Sequence, residues 1–71
     1  MATEKQRGYA YNLLKEGSFP TSNMRALQRA DDDIPHVYDL NDDERTSVWD
    51  WLGELDVKWA SEVIEYLKEH Q

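Results

Sequence analysis

His36 and His70 are the side chains suited by type to proton transfer near neutral pH. They lie far apart in the chain. A zinc centre needs three or four converging His, Cys or carboxylate ligands. The chain has no cysteine, and its two histidines follow no ligand spacing. His36, in an apolar stretch, is expected as a partly buried hydrogen-bonding residue, and His70 as a frayed end. Asp31, Asp32, Asp33, Asp39, Asp42 and Asp43 bring together enough carboxylate for a hard cation. A calcium loop, however, alternates its acids, turns on a glycine at its sixth position and closes on a glutamate at its twelfth. Counted from Asp31, those positions hold His36 and Asp42. The acids therefore read as solvated and helix-capping groups.

Nucleophilic catalysis is no better supported. Ser18, Ser22, Ser47 and Ser61 stand in no nucleophile-elbow context, and Gly8, Gly17 and Gly53 are isolated, so no phosphate-cradling loop forms. Short helices in a chain of 71 residues also leave little room for a ligand pocket of roughly 300 Å³ or more. The sequence predicts no enzyme, no cofactor and no metal.

Charge is the stronger signal. Residues 1–30 hold five cations (Lys5, Arg7, Lys15, Arg25, Arg29) against Glu4 and Glu16, a balance of +3. Residues 31–71 hold thirteen acids against Arg45, Lys58 and Lys68, a balance of −10. A field of this kind steers encounter with a partner rather than performing a reaction. Eight aromatic rings must supply most of the core of so small a domain, which otherwise buries only about 60% of its unfolded surface. Without cysteine no disulfide staples the fold, which favours a reducing, cytoplasmic setting. The opening Met1–Gln6 lacks the apolar stretch of a signal peptide, and no apolar run approaches the roughly 20 residues of a membrane span.

The elements that must position these groups read as helices. Thr3 and Gln6 form a capping box for a helix through Glu16, with Tyr9, Ala10, Leu13 and Leu14 on one stripe. Gly17 occupies the place of a left-handed C-terminal residue, and Phe19 is expected to tuck back. A short helix over residues 22–30 carries Met24 and Leu27 inward and sets Arg25 beside Arg29. Residues 31–40 read as a packed loop with room for one helical turn. Asn41 and Glu44 form a second capping box, opening a helix whose buried stripe is Arg45, Val48, Trp49, Leu52 and Leu55, with Trp51 off to one side. Gly53 implies close approach of another backbone or an early end to the helix. Asp56 caps a final helix over 57–70, with Ala60, Val63, Ile64 and Leu67 inward. No stretch alternates with period two. The expectation is a single all-α domain over 1–71, a compact array of about four short helices.

Thr3-Glu4-Lys5-Gln6 with Leu13-Leu14, together with Leu55 to Leu67, resembles the "T-x-K-Q … A-S-x-x-I-x-x-L" pattern of small helical modules in phage and bacterial proteins of unknown function. The resemblance covers the first and last helices. It implies a phage or bacterial origin, a host-cytoplasmic location and a non-catalytic role, and it supplies no site residues.

The resulting functional expectation is a small, phage-encoded, non-enzymatic protein that binds a host or phage protein. Its docking residues would be Asp31, Asp32, Asp33, Asp42 and Asp43, with Tyr38 and Trp51 as exposed anchors. The alternative is a DNA- or RNA-binding helical module using Lys5, Arg7, Arg25 and Arg29. Self-association of the +3 end with the −10 end is a third reading.

Overall fold

The computed structural model describes residues 1–39 and 47–70. Among these residues four helices follow one another: α1 (Glu4–Glu16), α2 (Met24–Ala30), α3 (Val48–Glu54) and α4 (Val57–Glu69). No strand occurs among the described residues, so the domain is all-α. None of these helices is long and apolar enough to cross a membrane.

Each helix begins where a short polar side chain can satisfy an orphan amide. Thr3 Oγ1 accepts from the Gln6 amide at 3.1 Å, while Gln6 Oε1 accepts from the Thr3 amide at 3.1 Å, completing the expected capping box. Asn23, Ser47 and Asp56 cap the other three helices. Gln6 does more than cap. Its Nε2 donates to the Val57 carbonyl and to Ser61 Oγ, both at 3.1 Å, which ties the start of α1 to the start of α4. These two helices share the most extensive packing in the fold, and α3 lies against α1.

The end of α1 corrects one expectation. Gly17 has φ −82° and is not left-handed; Ser18, with φ 62°, takes that position. The Ser18 amide donates to the Lys15 carbonyl at 3.1 Å and the Phe19 amide to the Leu14 carbonyl at 2.9 Å. This is the Schellman arrangement moved one residue onward, and it brings Phe19 back against the core as expected.

The third helix starts later than the sequence implied. The Asn41–Glu44 box and Arg45 lie outside the described residues, but Ser47 is extended (φ −78°, ψ 155°) and caps a helix that begins at Val48. At about 100° per residue, the stripe of Val48, Leu52 and Leu55 leaves Trp51 about 70° from its centre and Trp49 about 90°. Including Arg45 would put both tryptophans about 80° from the centre, so helix geometry alone does not choose between them. The structure buries Trp51 completely and leaves Trp49 42% exposed, the reverse of the expected arrangement. Trp51 is the largest side chain of a core that also holds Leu14, Met24, Leu27 and Leu67.

Candidate functional site

The stretch from Asp31 to Asp39 crosses from α2 to the face of α4, and its composition explains its path. Pro35 has a preset φ and no amide hydrogen, which suits the second position of a turn. The Val37 amide donates to the Ile34 carbonyl at 3.2 Å, so Pro35 and His36 are the two central residues. His36 has φ 62°. Proline followed by a positive φ is the pattern of a type II turn, whose third position usually goes to glycine. A residue with a Cβ is held there at a cost of roughly 1–2 kcal/mol. The turn drives Ile34 and Val37 into the core and leaves Tyr38 pointing outward, 60% exposed.

Several contacts pin this loop from behind. The buried Trp51 donates its Nε1–H to the His36 carbonyl at 3.1 Å. Gln28 of α2 donates through Nε2 to the Val37 carbonyl at 2.9 Å. Tyr66 of α4 donates its hydroxyl to Asp31 Oδ2 at 2.7 Å, and Asp31 Oδ1 accepts from the Asp33 amide at 3.0 Å. The His36 ring stacks on Trp59 with centroids 3.9 Å apart and planes 6° from parallel. Its Nδ1 meets Asp39 Oδ2 at 2.9 Å, and its Nε2 makes a short contact with Glu62 Oε2.

The electrostatics follow from these contacts. Burial of the His36 ring disfavours its charge, but the hydrogen bonds to Glu62 and Asp39 and the charges of both carboxylates outweigh that, raising its pKa above 6.5. The hydrogen bond to Asp31, burial and the neighbouring Asp31, Asp33 and Asp32 charges push the Tyr66 hydroxyl up to about 12.

On the outer side, Tyr38 joins Arg25, Gln28, Arg29 and Asp32 around an open hollow of about 340 Å³. Asp32 of this lining also clusters with Asp31 and Asp33, one carboxylate oxygen of each lying within 4.8 Å of the others. The loop and α2 together therefore present an exposed phenol, the exposed guanidinium side chains of Arg25 and Arg29 and the exposed Asp32 carboxylate on one small surface. Guanidinium and phenol groups are the side chains that anchor protein interfaces.

The expected site residues divide accordingly. Asp31, Asp32, Asp33 and Tyr38 come together. Asp42 and Asp43 lie outside the described residues. Trp51 is not an anchor: it is fully buried, and its indole N–H is spent on the His36 carbonyl. Of the basic set, Arg25 and Arg29 share the hollow, Lys5 is exposed on α1, and Arg7 is engaged elsewhere. Arg7 donates to the Trp49 carbonyl at 2.9 Å, lies 4.1 Å from that ring's centroid and approaches Asp50 at 3.6 Å. Trp49 in turn meets Tyr11 edge-on at 5.2 Å. His36 is partly buried and hydrogen-bonded, as expected. His70 is less loose than expected, stacking on Tyr66 at 4.0 Å with Nδ1 2.8 Å from the Tyr66 carbonyl.

Sequence reasoning missed Gln28, the exposed Trp49 and the carboxylates that flank His36. The Pro35-His36 pair was a readable turn signal, whereas Glu62 reaches His36 only through the tertiary fold. No family model matches the chain, and no curated protein or solved structure shows significant similarity to it.

Proposed function

We propose that the protein is a non-enzymatic binding module that docks a protein partner through the 31–39 loop and the adjoining end of α2. The observation that carries this reading is the 60% exposed Tyr38 ring, held outward at the hollow by a loop whose Ile34 and Val37 are fixed in the core and whose Asp31 and His36 are bonded to α4. A large ring kept exposed on an ordered backbone loses little conformational entropy on binding. Asp32 on the rim and exposed Asp33 beside it, on a chain of net charge −7, favour a partner with a basic surface, and exposed Arg29 would receive a carboxylate of that partner.

Two observations weigh against other classes. Both His36 ring nitrogens are taken up by carboxylates, which leaves neither to act as a base on a substrate. Arg7 is committed to Trp49 and Asp50, so the four cations of the nucleic-acid reading do not form one patch. The resemblance of the outer helices to phage and bacterial modules supports a phage-encoded protein acting in a host cytoplasm.

The test is photocrosslinking in the cell of origin, with p-benzoylphenylalanine at position 38 or, as a control, at exposed Asn12 on α1. The proposal expects a discrete protein adduct from position 38 that position 12 does not give. Equal adduct patterns from both positions, or nucleic-acid adducts alone from position 38, would refute it.

A further inference from the structure

His36 joins three parts of the molecule while occupying a backbone position that favours glycine. Its carbonyl receives the indole N–H of Trp51 from α3, its ring lies flat on Trp59 of α4, and its two nitrogens face Asp39 of the loop and Glu62 of α4. Strain of this kind persists only where the surroundings over-determine the residue. A neutral imidazole has one N–H, so it donates to one carboxylate and turns a lone pair toward the other. The imidazolium donates to both.

We propose that His36 is a proton-operated latch that clasps the 31–39 loop to α4 and so holds Tyr38 in place at the docking hollow. The link to docking rests on the function proposed above; the latch itself does not. Asp39 and Glu62 are the charged groups that reach the ring among the described residues, one from the loop and one from α4. The other elements present uncharged partners, Trp51 from α3 and Trp59 from α4. Both carboxylates favour the cation, so the latch is closed at low pH. It opens as pH rises through the raised pKa of the imidazole. Opening leaves one carboxylate facing a lone pair and lets the strained turn relax. Val37 and Tyr38 follow directly in the chain, and the Gln28 hydrogen bond to the Val37 carbonyl reports their position.

The experiment is an NMR pH titration of the full chain, following the His36 ring, the Gln28 side-chain amide and the Tyr38 ring. The latch predicts a His36 midpoint above 6.5, with the Gln28 and Tyr38 signals moving at the same midpoint. In Glu62→Gln the midpoint falls back toward 6.5. In His36→Gly, which suits the turn but lacks the ring, the Gln28 and Tyr38 signals no longer respond across that range. Loop signals that ignore the His36 titration, or a midpoint unmoved in Glu62→Gln, would overturn the latch. Both variants leave the core untouched, and Glu62→Gln retains a test if His36→Gly fails to fold. Photocrosslinking at position 38 separates the two ideas: adducts with unresponsive loop signals defeat the latch alone, and coupled loop signals without adducts defeat the docking reading alone.

Discussion

The Arg7 guanidinium fills the space beside Gly53. A methyl group built on Gly53 would stand 2.7 Å from Arg7 Cζ, while Arg7 Nε donates to the Trp49 carbonyl at 2.9 Å. The glycine in α3 therefore accommodates a side chain from α1 that bridges the two helices. The neighbour at Gly53 is this side chain and not another backbone, and α3 ends one residue later, at Glu54.

This relationship predicts a reversal of sign. Alone, Gly53→Ala must displace Arg7 from Trp49, and the lost contacts offset the gain in helix propensity of about 1 kcal/mol. With Arg7→Ala already present, the same substitution should stabilise by about 0.5–1 kcal/mol. Urea unfolding of both single variants and the double variant measures this coupling. Additive effects would show that Arg7 does not occupy the space.

The two tryptophans of α3 should behave as opposites. Trp51→Ala empties the centre of the core and removes the hydrogen bond to His36, with an expected loss of about 3–5 kcal/mol. Trp49→Ala gives up a cation–π contact and an edge-on ring pair, about 1–2 kcal/mol in all. Acrylamide quenching of the indole fluorescence should fall clearly in Trp49→Phe, which removes an exposed indole and leaves buried Trp51 in place.

Ser47 should be the start of α3. Ser47→Ala is expected to cost about 1 kcal/mol through loss of the hydrogen bond from the Asp50 amide, and Ser47→Asp should restore most of it. Thermal unfolding of the two variants decides the matter.

Alkaline titration should expose the Tyr66–Asp31 bond. The neutral hydroxyl donates, so the folded state holds its proton more tightly than the unfolded chain, whose tyrosine ionises near 10. The stabilisation is complete below pH 10 and is lost as pH rises through about 12. Ultraviolet difference titration should show one phenol ionising near 12, and Tyr66→Phe should abolish that late step.

Most of the fold was legible in local chemistry. Thr3, Gln6 and Asp56 announce α1 and α4, and the apolar spacing of α4 fixes its inward face, because capping and amphipathic stripes are short-range properties. The register of α3 was not legible. Val48, Leu52 and Leu55 tolerate a tryptophan on either flank, and the choice falls to distant partners: the His36 carbonyl receives one indole, and Arg7 with Tyr11 receives the other. The candidate site was half legible. Asp31–Asp33 and Tyr38 stand out in the sequence, and Arg25 and Arg29 lie just before them, yet their joining around one hollow depends on Gln28 and on how the Pro35-His36 turn aims the chain.

The central claim is that docking belongs to one face and not to overall charge. Its most direct test compares two double variants of equal charge change, Asp32→Lys with Asp33→Lys and Glu16→Lys with Glu54→Lys, in each case measuring the protein adduct captured from position 38. The account predicts that the first pair abolishes the adduct and the second leaves it nearly intact. Equal loss from both pairs, or no loss from the first, would contradict it.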